Sequence, residues 1–159
     1  MSQAIEAASP RPGAAAAAAE PIQADWELDY YSRPILEPEG KKRWELLICS
    51  TPELGSDPDG GFRWALNCPA ASVNSQWLRQ ALEEALTAAA AAGFAPPRRL
   101  RCWRGSMRTM VQRAAEPLGL EVVPSRRCYG LVQWLQDRMA TVYPAEEGFM
   151  AGPLAPPPQ

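Results

Sequence analysis

The stretch "WELDYYSRPIL", residues 26–36, alternates. Trp26, Leu28 and Tyr30 fall on one face, and Glu27, Asp29, Tyr31 and Arg33 on the other. A period of two predicts a half-buried strand. "EPEGKK" follows as a hairpin turn, with Gly40 supplying positive φ. "RWELLICS", residues 43–50, is a more hydrophobic and hence more central strand. "TPELGSDPDGG" reads as a polar loop, and "FRWALN", residues 62–67, as a third strand. The short connections predict that these three strands run antiparallel.

The period then becomes helical. Residues 73–93 predict a helix with Asn74 as N-cap, Val73 and Leu78 at staple spacing, and Gly93 as its stop. Trp77, Leu78, Ala81, Leu82, Ala85 and Leu86 form its apolar face. "RRLRCWR" predicts a fourth strand. "SMRTMVQRAAEPLG" predicts a helix with Met107, Met110, Val111, Ala114 and Leu118 on one stripe. "LEVVPSR" predicts a fifth strand, and "YGLVQWLQDRMATVY" a last helix ended by Pro144. The expected fold class is α/β: a mixed five-stranded sheet in the order β-β-β-α-β-α-β-α. That is the order of the ribonuclease H fold, which other α/β arrangements share.

The 159 residues suit one domain plus tails. Residues 1–24 are expected to be a disordered Ala/Pro-rich leader, residues 25–149 a single domain, and residues 150–159 a Pro-rich tail. The leader has no basic start or leucine-rich stretch, so it reads as neither a signal nor a transit peptide. The longest apolar run, "ALTAAAAAGFA", is too short and alanine-rich to span a bilayer.

Histidine is absent, which excludes histidine bases and triads. The four cysteines lie at least 19 residues apart, so no zinc-type ligand pair exists. They read as single buried thiols in a reducing compartment. A two-metal nuclease of this fold needs clustered carboxylates. Asp29 on the first strand, Glu83 and Glu84 on the first helix and Asp137 on the last are available, but the fourth strand supplies arginine where an acid is needed. A metal-dependent nuclease is therefore only the third reading, and no catalytic residue, metal site or cofactor is expected.

Charge is unevenly spread. The chain carries a net −2, yet residues 98–127 carry eight arginines against Glu116 and Glu121, a local +6. Arginine forks onto phosphate and stacks on bases where lysine acts as a point charge. Interleaved aromatic rings suit single-stranded RNA. If strands four and five both run parallel to strand one, "WRG" and "SRR" share one edge of the sheet, where α/β folds place ligands. The candidate RNA contacts are Arg126 and Arg127, then Arg101, Arg104 and Arg108, with Trp103 and Tyr129 as stacking platforms and Arg33 joining them. A solvated basic face and an acidic protein partner remain alternatives. Arg138 falls on the apolar side of the last helix, so a carboxylate, Asp29 or Glu27, is expected beside it.

The ordered motifs "WELDYYSRPIL", "KKRWELLIC", "CPAASVNSQWLRQALEEAL", "RCWRGSMRTMVQRAAEPLGL" and "PSRRCYGLVQWLQDRMATVYP" resemble the N-terminal domain of the Tab-type RNA-binding translation factors of cyanobacteria and chloroplasts. The resemblance runs from about Trp26 to Phe149. It implies a non-enzymatic RNA-binding factor in photosystem biogenesis. Its expected partner is the single-stranded, A/U-rich 5′ leader of a photosystem I reaction-centre messenger, whose translation it promotes. Translation machinery and photosystem assembly proteins are further implied partners, and an assembly role is the alternative function. With no transit peptide visible, a cyanobacterial cytoplasm is expected for this chain and a chloroplast stroma for plant and algal relatives. Members are expected to be about twice as long, with a second domain that this chain lacks. Cys128 stands where a hydroxyl residue is expected in relatives.

Overall fold

The computed structural model describes residues 3–5, 24–52 and 61–151. Most of the expected loop after Ser50, most of the leader and the tail beyond Ala151 lie outside these residues. The strands are β1 (Gln3–Ile5), β2 (Trp26–Leu36), β3 (Lys42–Ser50), β4 (Arg63–Cys68), β5 (Arg99–Cys102) and β6 (Glu121–Pro124). The helices are α1 (Ser75–Ala91), between β4 and β5, α2 (Arg108–Ala115), between β5 and β6, and α3 (Tyr129–Thr141). The strands form one mixed sheet in the order β1-β4-β3-β2-β5-β6. The β1–β4, β4–β3 and β3–β2 pairs are antiparallel, while β2–β5 and β5–β6 are parallel.

Within the leader, expected to be disordered, Gln3–Ile5 pairs with residues 64–66 of β4. Three residues are too few for a readable alternation, so this sixth strand left no mark in the pattern. The turn before β3 places Gly40 at φ 86°, a conformation other residues adopt with difficulty. Asn74 caps α1, its Oδ1 accepting from the Trp77 N–H at 2.8 Å, and satisfies a donor that the first helical turn leaves open.

The sheet buries both faces. On the first, Trp26, Leu28 and Tyr30 of β2 pack with Leu46, Ile48 and Trp64 beneath α1 and α2. On the second, Leu47, Cys49 and Ala65 pack beneath Leu131, Trp134 and Leu135 of α3. This corrects the half-buried reading of β2. Glu27, Asp29 and Arg33, expected on a solvated face, are as buried as Trp26 and Leu28, because α3 covers them. Charges in such a position persist only when paired and hydrogen-bonded, and the pairing determines what this face can do.

Candidate nucleic-acid interface

The buried charges join into one network. Asp29 accepts from Arg104 Nε at 2.6 Å and from Arg33 Nη2 at 3.0 Å. Arg33 Nε reaches Glu45 Oε1 at 2.9 Å, and Arg138 Nη2 reaches Glu45 Oε2 at 2.6 Å. The Tyr143 hydroxyl donates to Glu45 and accepts from Arg33 at 3.0 Å. Burial would disfavour the Arg33 cation, but Asp29, Tyr143 and Glu45 together raise its pKa above the ordinary value. Burial pushes the Tyr143 hydroxyl up to about 12, with Arg33 opposing and Glu45 adding to the rise, so it stays protonated and able to donate.

Two expectations change here. Arg138 does have a buried carboxylate partner, but it is Glu45 of β3 rather than Asp29 or Glu27. Arg33 and Arg104 leave the solvent-facing set, since both are buried and committed to carboxylates. Arg104 also lies 4.0 Å from the Tyr31 ring and 4.9 Å from the Trp103 ring. One face of Trp103 is thereby taken, which limits it as a stacking platform.

Both Asp29 oxygens thus face guanidiniums. Glu83 and Glu84 are exposed on α1, which packs on the opposite face of the sheet. Asp137 is exposed and accepts from Gln133 within α3. Among the described residues, no group of three His, Cys, Asp or Glu side chains is placed to hold a metal ion. The four cysteines are buried thiols. Burial, reinforced by the Glu27 charge, pushes the Cys128 thiol up to about 12, away from the reactive thiolate.

A basic surface lies beside this network. Asp25, immediately before β2, accepts from Arg98 Nε at 3.2 Å, Arg99 Nε at 3.0 Å and Arg101 Nε at 2.9 Å. Burial works against the Asp25 charge, but hydrogen bonds from Arg99, Arg101 and Arg98 outweigh it and hold the carboxyl below its ordinary value. The parallel register, Trp26 opposite Leu100, sets the start of β2 beside the start of β5. Arg101 Nη1 also reaches the Arg127 carbonyl oxygen at 3.4 Å. Arg126 and Arg127 are exposed in the loop between β6 and α3, and Tyr129, the first residue of α3, is 73% exposed. Of the expected contacts, Arg101, Arg126, Arg127 and Tyr129 therefore come together. Arg108 is exposed on α2, on the other side of the sheet. Arg98, Arg99 and Asp25 were missed as a unit. Their signal was an acid one residue before a strand whose parallel neighbour opens with arginines, legible only once the register is known.

Glu27 anchors α3 to the sheet. Its Oε1 accepts from the Leu131 N–H at 2.9 Å, capping α3 from another strand. Burial raises the Glu27 pKa, against hydrogen bonds from Leu131, Thr51 and Gly130 and the attraction of Arg101. A raised folded-state pKa gives stability that is complete below the ordinary carboxylate range and lost as pH rises through the folded value. Glu27→Gln keeps the acceptor for Leu131 without the charge. It is expected to be more stable than the parent at pH 7 by about 1 kcal/mol. That advantage should shrink toward pH 4, as read from urea midpoints. A mutant less stable at pH 7 than at pH 4, relative to the parent, contradicts this.

Known proteins agree with the motif reading. The family model described as RNA-binding protein Tab2/Atab2 N terminal matches residues 25–138. "Protein TAB2 homolog, chloroplastic" of Zea mays is 41% identical over 128 residues, covering 80% of this chain and 30% of the maize protein. Its namesake in Arabidopsis thaliana is 37% identical over 130 residues, covering 82% of this chain and 32% of that protein. The chain thus spans about a third of the length of these curated relatives, rather than the half expected. Among solved structures, a chain of the cryo-EM structure of the simian T-cell lymphotropic virus intasome in complex with PP2A regulatory subunit B56 gamma is similar, with a TM-score of 0.50. The identity is 14%, covering 89% of this chain and 45% of that one, so the likeness is one of fold alone. No helix among the described residues is long and apolar enough to cross a membrane.

Proposed function

This chain belongs to the Tab2/Atab2 family, matching its N-terminal part, and from that premise we propose that the domain binds single-stranded RNA on the surface around Asp25, Arg127 and Tyr129. The observation that carries the reading is the contact of Arg101, held by Asp25, with the Arg127 carbonyl, which sets it beside exposed Arg126 and Arg127 and a 73% exposed tyrosine ring at the start of α3. Guanidiniums hold phosphates, and an exposed ring stacks an unpaired base. The RNA is the A/U-rich 5′ leader of a photosystem I reaction-centre messenger, and binding promotes its translation. The translation machinery and photosystem assembly proteins are the further partners, and the cyanobacterial cytoplasm is the setting.

The scaffold is a ribonuclease H-like sheet that holds RNA without cutting it. Asp29 occupies the first-strand position where such a nuclease keeps a metal-binding acid, and here it is bonded to Arg33 and Arg104. Cation charge at that point competes with a metal ion.

Replacing Arg126 and Arg127 together by alanine tests the site. Affinity for an A/U-rich single strand should fall about tenfold. The slope of log affinity against log salt should become shallower by about 0.7 for each phosphate no longer neutralised. Unchanged affinity and slope would remove these residues from the interface.

A further inference from the structure

The Asp25 cluster is unbalanced: three guanidiniums converge on a single carboxylate whose side chain is only 2% exposed. One negative charge against three positive charges leaves a local excess of two. A guanidinium carries five N–H donors in a rigid planar fork. The bonds to Asp25 engage each fork through its Nε, the donor nearest the aliphatic stem. Arg98 keeps 59% of its side chain exposed despite the bond. The cluster therefore holds long, rotamer-rich side chains in place, with Arg98 the most exposed and Arg99 and Arg101 part-exposed beside it. Immobilising such side chains beforehand removes an entropic cost from binding.

We propose that Asp25 is a positioning residue for RNA. It holds Arg98, Arg99 and Arg101 by their Nε atoms so that the three forks together take a backbone phosphate of a single strand. The site rests on the RNA-binding reading above and adds to it a role for Asp25 and two further arginines, Arg98 and Arg99. The link from Arg101 Nη1 to the Arg127 carbonyl makes it continuous with Arg126, Arg127 and Tyr129, giving a strand several adjacent points of attachment.

Asp25→Asn makes the chain one unit more positive, and long-range attraction alone predicts tighter binding of any polyanion. Loss of the anchor predicts the reverse. The full chain is titrated into a fluorescent A/U-rich RNA carrying a 5′-hydroxyl, at several salt concentrations. D25N is expected to bind about tenfold more weakly than the parent, with D25E recovering part of the loss. R98Q, at a mostly exposed side chain, is expected to fold normally and to make the salt slope shallower by about 0.7. If the melting curve shows D25N unfolded, R98Q and R99Q decide the matter alone. A parent that binds RNA, with D25N equal or tighter, or with R98Q and R99Q unchanged in slope, overturns this inference and leaves the RNA reading standing. A parent that binds no RNA overturns both. Polyglutamate held more tightly than RNA, with the same dependence on Asp25, overturns the RNA assignment in favour of an acidic protein.

Discussion

Glu45→Ala is expected to destabilise the domain by about 3–5 kcal/mol, the range for breaking a buried ion pair by removing one partner. Glu45 receives Arg33, Arg138 and the Tyr143 hydroxyl beneath α3. Its removal leaves two buried guanidiniums competing for what remains, with Asp29 still bonded to Arg33. A domain of this size is stable by about 5–15 kcal/mol, so the variant should melt far below the parent or fail to fold. Urea titration at pH 7 measures it. The double variant Glu45→Ala with Arg138→Met should lose less than the sum of the two single losses, because both changes remove the same Glu45–Arg138 ion pair. Additive losses, or a single loss below about 1 kcal/mol, would show that the network is not what holds α3.

Trp26→Ala is expected to cost a similar amount, about 3–5 kcal/mol, through a different mechanism. Trp26 is buried at the start of β2 and stacks on Phe62, with ring centroids 5.3 Å apart and planes at 25°. Truncation leaves a void under α1 that the close-packed surroundings fill only partly. The two variants separate in their response to pH and salt. The cost of Trp26→Ala is a packing cost and should stay constant from pH 5 to 8 and with added salt. A Trp26→Ala loss that varied strongly with salt would contradict the assignment.

These residues also mark how far the chain could be read before folding. The importance of Trp26 is visible locally: a large apolar residue in phase with Leu28 and Tyr30 must face a core. The capped start of α1 at Asn74 is equally local, since cap, first turn and staple lie within a few residues. Glu45 is different. It sits in a hydrophobic run that marks β3 as central, and nothing nearby in sequence names Arg33 or Arg138 as its partner. Arg104 shows the same limit from the other side. It was legible as a positive charge where a nuclease needs an acid, but not as a buried one between Tyr31 and Trp103. The acid Asp25 looked like part of an acidic leader, and only the β2–β5 register sets it among three arginines.

The sequence by itself determined the elements from Trp26 onward, their order and their family, because period, caps and turns act over a few neighbouring residues. The tertiary structure alone decided which charges are buried in pairs and which stay exposed. Whether an arginine meets solvent or a carboxylate depends on strand register and on α3 lying across the sheet. Those interactions join residues as far apart as Glu45 and Arg138. Where the helix excludes water, Arg33, Arg104 and Arg138 must pair. Outside it, Arg98, Arg126 and Arg127 stay exposed to solvent.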